Sequence, residues 1–519
     1  MPSTSLVFEG GTIRTLDPAA PVIERLAITD GLIAKAPAAD ARRVDLRGGC
    51  VLPGFNDAHV HFPTWSLAQR QVRLEGAHSL SEAVARVADG MAGAPPGAWV
   101  RGIGWRDSDW TEPPSRTALD AVAPDTPVIL TSKDYHSLWL NSAALARAGG
   151  DLDAPGGVVK RDPGGEATGV LRENAAWRFR DRHAAPTMEE MLEASREGLR
   201  IAASRGVTAV HDKDGWLGSL ELFQRLRESG ELTLRVWQSI PAERLPQLRA
   251  LGLRSGFGDD LLRAGYLKVF MDGTLGSATA RLLDGSGVEL TSGERLAEIV
   301  REAAAAGWPV GVHAIGDAAN RAALDAFEAT AGDWRPLGLR QRIEHAQLLD
   351  PAELPRFAAI GVAASVQFSH APSDRDLADR VWEGHPGAYA YRSLHDAGAR
   401  LANGSDAPVE ELDPLRGVAA AVLRSLDERP AWRPEQALSV EAALRATCVE
   451  PVWLAHDELR RGRLAPELLA DLVVLDRDPI TCPEDELPQL RVAATLVGGR
   501  ITYATHESGL AFLGGCELL

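Results

Sequence analysis

The stretch VLPGFNDAHVH, residues 51–61, begins with apolar residues and ends with two histidines, His59 and His61. Side chains on a β-strand alternate between its two faces, so both imidazoles project to the same side. In a closed barrel that side is the interior. Two histidines at a strand end suit one divalent metal ion bound by neutral imidazole nitrogens, although the spacing alone is weak evidence. The stretch therefore predicts a barrel strand with a metal-binding end.

Seven further apolar runs follow along the chain, and each ends in polar residues. They are GVTAVHD (206–212), LRVWQSI (234–240), YLKVFMDG (266–273), PVGVHAIGD (309–317), RIEHAQLL (342–349), GVAASVQFSH (361–370) and ARLANGSDAP (399–408). Strand-like runs that alternate with helical stretches are typical of a parallel α/β fold. We therefore predict a (β/α)8 TIM barrel in which the polar strand ends meet on the face that carries catalytic residues.

The count of eight strands requires one large insertion, residues 62–205, after the first strand. The insertion is rich in tryptophan: Trp65, Trp99, Trp105, Trp110, Trp139 and Trp177. A long segment of this kind is suited to a lid or substrate wall, and its tryptophans favour a substrate with an aromatic or apolar portion. The alternative is a self-packed subdomain that makes no contact with substrate.

The two ends of the chain have a different pattern, with short strand-like runs separated by glycine and aspartate turns. Examples are RLAITDGLIAK (25–35), ADLVVLDRDP (470–479) and AATLVGGRITY (493–503). We predict that residues 1–53 and 446–519 form a small β-sandwich domain with a C-terminal tail, and that residues 54–445 form the barrel.

The composition limits the class of partner. The formal net charge of −17 argues against binding to nucleic acid or to an anionic membrane, and favours a small-molecule substrate. Cys50, Cys448, Cys482 and Cys516 have no CxxC spacing, so neither a disulfide framework nor a thiolate zinc site is indicated. No leader-like segment and no long apolar run is seen, which predicts a cytoplasmic protein.

Later strand ends supply further candidate metal ligands, namely His313 in VGVHAIGD, His345 in RIEHAQ and Asp406 in NGSDAP. With these residues, the sequence resembles the amidohydrolase superfamily. The pattern of that superfamily is HxH on strand 1, Lys or Glu on strand 4, His on strands 5 and 6, and Asp on strand 8. The resemblance implies a metal site built from His59, His61, Lys268, His313, His345 and Asp406.

A closer resemblance is to the YtcJ-like, or amidohydrolase-3, group, which includes N-substituted formamide deformylases. The motifs that carry it are DAHVH (57–61), DYHSLWLNSAAL (134–145), LKVFMDGTLGSATA (267–280), VHAIGDAAN (312–320), RIEHAQ (342–347), SVQFSH (365–370) and GSDAPV (404–409). Phe368 stands where the group has proline. The resemblance implies one or two divalent ions, zinc first and manganese or iron as alternatives, and a homodimer.

The resemblance places Lys268 between two metal ions, where the lysine is often carboxylated by CO2. Two cations about 3.5–4 Å apart need a bidentate anion between them, which an ammonium cannot provide. The neighbours Leu267, Val269 and Phe270 indicate a buried strand, where an unpaired ammonium is costly. The alternative is a mononuclear site at His59, His61, His313 and Asp406, with Lys268 as an orienting charge.

The predicted reaction is hydrolysis of a carbon–nitrogen bond, other than a peptide bond, by a metal-bound hydroxide. Asp406 is the candidate for proton transfer, and His345 or His136 for stabilising the oxyanion. The favoured substrate is a small amide, with an N-substituted formamide as the preferred subclass. The alternatives are a metal-dependent decarboxylase or isomerase on the same barrel, and a non-catalytic scaffold.

Other polar residues at the strand ends are predicted to orient the ligands rather than to bind metal. They are His211, Asp212, Asp272, Asp317, Gln367 and His370.

Overall fold

The computed structural model describes residues 5–91, 99–107 and 110–506. Cys516 and the predicted C-terminal tail from residue 507 lie outside the described residues. The chain divides into two compact units: Met1–Phe62 with Arg196–Leu519, and Pro63–Ser195. The second unit falls within the predicted insertion.

The first unit contains eight parallel strands in one sheet, in which each strand pairs with the next along the chain. We number them β1 to β8: Phe55–Val60, Val207–Asp212, Arg235–Pro241, Leu262–Phe270, Val310–Ala314, Arg342–His345, Ala363–Val366 and Leu401–Asn403. All eight coincide with the predicted runs. Their residues are buried almost throughout, as expected for a parallel sheet covered on both faces.

The sheet comes close to closing into a barrel where β1 meets the segment that follows β8. The backbone N–H of Asp406 donates to the carbonyl of His59 at 2.7 Å, and the N–H of His61 donates to the carbonyl of Ala407 at 2.8 Å. These bonds bring the predicted HxH motif and the predicted aspartate together on adjacent backbones.

Helices separate the barrel strands. Their bounds are Met188–Ser204, Ser219–Glu228, Leu245–Ala250, Gly293–Ala305, Asp317–Ala329, Ala331–Trp334, Leu354–Ile360, His370–Val381, Tyr391–Asp396, Pro414–Leu423, Val440–Cys448 and Glu450–Leu454. The helix Gly293–Ala305 illustrates why these segments are helical. Ser292 caps its first turn, and Leu296, Val300 and Ala303 form one buried face. In the described part of the chain, no helix is long and apolar enough to cross a membrane.

The last two helices contact β1 and β8, so barrel packing continues beyond residue 445 to Leu454. The strands of the C-terminal segment begin later, at Leu472.

The two ends of the chain form two further sheets. The first contains Leu32–Ala34, Leu26–Thr29, Leu6–Glu9 and Arg42–Asp45. The second contains Arg500–Ala504, Val492–Val497, Leu472–Leu475, Cys50–Pro53, Thr12–Arg14 and Val22–Ile23. One apolar cluster takes Phe8 and Ile28 from the first sheet and Val51 and Leu472 from the second, so the two sheets share a core.

The unit Pro63–Ser195 has its own six-stranded sheet. In spatial order its strands are Gly157–Arg161, Ala167–Glu173, Ser137–Leu140, Val128–Ser132, Val100–Trp105 and Val72–Arg73. Its helices are Leu80–Gly90, Arg116–Asp120, Ser142–Ala146 and Asn174–His183, and Phe62–Ala68 leads into it. Trp105, Trp110 and Trp139 are buried and pack against one another with ring centroids 5.8–6.4 Å apart. These three tryptophans therefore serve the core of the unit.

Candidate metal centre

Three of the predicted ligands converge at the end of the barrel where the strands terminate. Ligand atoms of His59, His345 and Asp406 all lie within 4.8 Å of one another, and the three side chains are buried. The Nε2 of His59 is 3.1 Å from Oδ1 of Asp406, and the Nε2 of His61 is 3.5 Å from the same oxygen. This donor set of imidazoles and a carboxylate matches what divalent zinc prefers.

The backbone at this cluster is unusual. His345 and Asp406 have φ values of 77° and 57°, in the left-handed region that L-residues with a β-carbon seldom adopt. Such conformations persist where surrounding contacts determine them, and they concentrate at functional sites. Here they occur at His345, the last residue of β6, and at Asp406, three residues after β8 ends.

His59 has a carboxylate oxygen against each ring nitrogen. Its Nδ1 lies 2.9 Å from Oε2 of Glu344, and its Nε2 faces Asp406. Burial, together with the nearby Lys213 ammonium, lowers the pKa of His59 to about 4, so the ring is neutral at neutral pH. A neutral imidazole carries one proton and cannot donate to both carboxylates. A cation between Nε2 and Asp406 satisfies both groups, so the residues present fit a metal ion.

His61, which is partly exposed, also has a carboxylate oxygen near each of its ring nitrogens. Its Nδ1 lies 2.7 Å from Oδ1 of Asp214 while its Nε2 faces Asp406. Burial lowers the pKa of His61, but the charge of Asp214 and its hydrogen bond outweigh burial, and the net effect is an increase.

His313 and Lys268 line the other side of the cluster. The His313 ring lies 4.5 Å from the His345 ring, and its Nε2 donates to the carbonyl of Gly273 at 3.0 Å. Lys268 is 3% exposed, and within the described residues its Nζ makes no hydrogen bond or ion pair. The ammonium lies 5.0 Å from the ring centroid of Phe270. Burial is the main cause that lowers the pKa of Lys268, to about 8.

Sequence reasoning did not identify Glu344 and Asp214, which hold the histidines of the HxH motif. Glu344 has a detectable signal, because it lies two residues after Arg342 on β6 and shares its face of the strand. Asp214 lies just beyond the end of β2, where a turn aspartate is common and carries little information.

Gln367, which was predicted to orient a ligand, accepts from Nδ1 of His345 at 2.9 Å. The other residues of that prediction have varied partners. Asp272 lies 3.7 Å from Nε2 of the candidate ligand His313 and accepts from the backbone N–H groups of Ile315 and Gly316. Asp212 accepts from Phe62 N and Asp317 from Leu283 N, while His211 contacts Arg342 and His370 contacts Gln347. The Nε2 of His370 lies 3.8 Å from Oδ2 of Asp406.

His136 lies in the unit Pro63–Ser195. Its Nδ1 is 2.7 Å from Oε2 of Glu173, and its ring packs edge-on against Trp177 at 5.1 Å. The carboxylate fixes the orientation of the imidazole. Its role in stabilising an oxyanion stays a prediction.

The comparisons with known proteins agree on one family. A family model described as the Amidohydrolase family matches residues 42–503. The protein LONG AFTER FAR-RED 3 of Arabidopsis thaliana is 32% identical, over 96% of this chain and 91% of its own length. The putative amidohydrolase YtcJ of Bacillus subtilis is 28% identical, over 96% and 99%. The N-substituted formamide deformylase of Arthrobacter pascens is 28% identical, over 96% and 98%.

A solved structure is similar over most of the chain. An uncharacterized metal-dependent hydrolase from Pyrococcus horikoshii OT3 superposes with a TM-score of 0.77 at 27% identity, covering 93% of this chain and 99% of its own.

Proposed function

The chain belongs to the amidohydrolase family, and from this premise we propose that it hydrolyses a carbon–nitrogen bond of a small amide with the help of a bound divalent metal. The observation that carries the proposal is the convergence of His59, His345 and Asp406, whose ligand atoms lie within 4.8 Å of one another, together with the contact of His59 with two carboxylates, which a cation beside Asp406 would satisfy. An N-substituted formamide is the favoured substrate, supported by the similarity to the Arthrobacter deformylase. Homodimer formation stays a prediction.

The residues that would hold the metal are His59, His61, His313, His345 and Asp406. A zinc ion, or manganese or iron, would polarise the scissile carbonyl and lower the pKa of a water molecule towards about 7. The chain supplies neutral imidazoles for this purpose, because burial lowers the pKa of His345 well below its usual value, as it does for His59.

We further propose that Lys268 is carboxylated on Nζ and bridges a second ion. Lys268 is 3% exposed and its amine has no hydrogen-bonding partner in the described chain, and the pKa of about 8 leaves a fraction of it neutral. The lone pair of a neutral amine forms a bond to the carbon of CO2, the nitrogen releases a proton to solvent, and the product is a carbamate anion. Carbon-13 NMR of protein prepared with labelled bicarbonate tests this proposal. We expect a carbamate signal that Lys268→Met abolishes, and no such signal in the wild type would overturn it.

Asp406 is the proposed proton carrier. Its Oδ1 lies 3.1 Å from Nε2 of His59 and 3.5 Å from Nε2 of His61, and in its ionised form the carboxylate can accept a proton. It would take the proton of the attacking water and deliver it to the leaving nitrogen. Stabilisation of the negative charge on the carbonyl oxygen by His345 or His136 stays a prediction.

Asp406→Asn tests the proton transfer. We expect kcat/KM for formate release from an N-substituted formamide to fall about 10²- to 10⁴-fold, because the amide cannot accept a proton. Metal content, measured by plasma mass spectrometry, separates loss of proton transfer from loss of the ion. Release of amine and formate in equal amounts distinguishes hydrolysis from decarboxylation or isomerisation.

Metal removal tests the proposal as a whole. At free zinc near 100 times its Kd, the native state gains about 2.7 kcal/mol over the metal-free state. We therefore expect thermal unfolding to move to higher temperature when zinc is added to chelator-treated protein. A His59→Ala/Asp406→Ala variant should show no such shift. If the wild type binds none of zinc, manganese and iron, the proposed function is wrong.

A further inference from the structure

The barrel interior next to the metal centre holds an ionic cluster, formed by Lys213, Arg342 and Glu344. The side chains of Lys213 and Glu344 have no exposed surface, and Arg342 is 2% exposed. Barrels of this kind are usually filled by branched apolar side chains. Buried ions are costly unless every group is well paired, and apolar residues of the same volume are often at least as stable. Packing alone therefore does not explain the cluster.

The two carboxylate oxygens of Glu344 have different partners. Oε1 accepts from Nζ of Lys213 at 2.7 Å and lies 2.9 Å from Nε of Arg342. Oε2 faces only Nδ1 of His59 among these groups, at 2.9 Å. Both cations are fixed in turn, because the guanidinium stacks on the Tyr266 ring at 3.6 Å and Lys213 donates to the Tyr266 hydroxyl. The carboxylate is thus oriented before it meets the histidine.

We propose that Glu344 is a positioning residue that fixes the tautomer of His59, and that Lys213 and Arg342 determine which of its oxygens meets the ring. An oxygen of the carboxylate can only accept, so Nδ1 of His59 must carry the proton. The lone pair is then on Nε2, which faces Asp406. The inference rests on the proposed function, since it concerns a ligand of the proposed metal.

The arrangement makes a sharp prediction for Glu344→Gln. A glutamine has one accepting oxygen and one NH2 group. Two cationic donors face the Oε1 position, so the amide oxygen must lie there and the NH2 must point at His59. Nδ1 then becomes the acceptor, and the ring proton moves to Nε2. Replacing one carboxylate oxygen of Glu344 with an NH2 group would thereby remove the lone pair on Nε2 with which His59 would bind the metal, although Glu344 itself would not contact the metal.

Zinc affinity, measured by competition with a chromophoric chelator, is the first readout. We expect zinc to bind Glu344→Gln about 10- to 100-fold more weakly than wild type, the usual effect of losing a partner that orients a ligand. Asp471→Asn is the matched control, because Asp471 is also a buried carboxylate paired with an arginine, Arg235, in the same unit. It should unfold at lower temperature with unchanged zinc affinity.

The tautomer itself is the second readout. In metal-free protein labelled with ¹⁵N-histidine, we expect the His59 signals, assigned with His59→Gln, to show the proton on Nδ1 in wild type and on Nε2 in Glu344→Gln. Loss of structure alone would not exchange the two nitrogens. Equal zinc affinity and the same tautomer in both proteins would overturn the inference.

The double variant Lys213→Met/Glu344→Gln tests whether Glu344 acts only through its charge. It removes the lysine together with the carboxylate that it contacts, so neither group is left without its partner. Arg342 still faces the Oε1 position, so we expect thermal stability to recover relative to Glu344→Gln while zinc affinity stays weak. If zinc affinity recovers with stability, Glu344 only balances charge. If wild type binds no zinc, the proposed function fails instead.

Discussion

Phe368 forms a backbone hydrogen bond that a proline at the same position could not form. Proline stands at this position in the group that the sequence resembles, directly after the glutamine that orients His345. Phe368 is fully buried, and its ring packs edge-on against Tyr391 at 5.3 Å. Its backbone N–H donates to Oδ1 of Asn403 on β8 at 3.2 Å. A proline has no N–H, so this link between the ends of β7 and β8 exists only with another residue.

Phe368→Pro and Phe368→Ala separate the two contributions. Both variants lose the ring and should be destabilised by about 3–5 kcal/mol. The proline variant also leaves the buried Asn403 oxygen without that donor, so we expect it to be less stable than the alanine variant by a further 1–3 kcal/mol or so. Urea unfolding measures both. Equal stability of the two variants would show that the Asn403 bond contributes nothing.

The predictability of the site residues follows from their chemistry. The candidate metal ligands His59, His61 and Asp406 could be predicted because few residue types bind divalent ions and because strand ends restrict their places. Glu344 was not found, because acidic residues are common and its role depends on meeting His59 across the barrel. Sequence separation hides that contact, since the two residues are 285 positions apart.

At the level of elements, the short turn after β2 places an aromatic side chain beside the metal centre. Trp216, in the turn Gly215–Leu217, is 40% exposed, and its ring lies 5.6 Å from that of Phe270, the last residue of β4. Phe270 is 5.2 Å from the His313 ring. This pair forms an apolar surface next to the candidate ligands, and it arises from the barrel itself, whereas the expected aromatic wall was the tryptophan-rich insertion.

Trp216→Ala tests whether this surface binds substrate. For an amide with an aryl group we expect KM to rise about 10-fold, from the loss of roughly 1.5 kcal/mol of apolar contact, with kcat little changed. A methyl-substituted amide should be affected less. Trp453→Ala is the control, because Trp453 lies between Arg340 and Arg400, which precede β6 and β8 at the opposite end of the barrel. Equal changes for both amides would contradict a substrate role for Trp216.

The eight barrel strands could be predicted because each is a continuous apolar run that ends in polar residues. The sheet of the unit Pro63–Ser195 could not, since it mixes parallel and antiparallel pairs. Val128–Ser132 pairs in parallel with the preceding Val100–Trp105, but antiparallel with the following Ser137–Leu140. Val72–Arg73, a strand of two residues, has no detectable periodicity and is recognisable only through its partner.

At the scale of the whole first unit, one buried ion pair connects the barrel to the sheet formed by the chain ends. Arg235, the first residue of β3, donates from Nε and Nη2 to the two carboxylate oxygens of Asp471 at 2.7 and 2.8 Å. Asp471 directly precedes the strand Leu472–Leu475 and also accepts from the backbone N–H of Gly498 at 2.7 Å. Both charged side chains are almost completely buried. The pair therefore fixes the position of the C-terminal strands against the barrel.

Asp471→Ala should destabilise this unit by about 3–5 kcal/mol, because it leaves the Arg235 guanidinium buried without its counter-charge. The double variant Arg235→Met/Asp471→Leu replaces the pair with apolar groups of similar volume, and we expect it to recover much of that loss. Urea unfolding followed by tryptophan fluorescence measures the two midpoints. If Asp471→Ala unfolds at the wild-type midpoint, the ion pair does not hold the end sheet to the barrel. If the double variant is less stable than Asp471→Ala, the loss in Asp471→Ala does not come from an unpaired Arg235 charge.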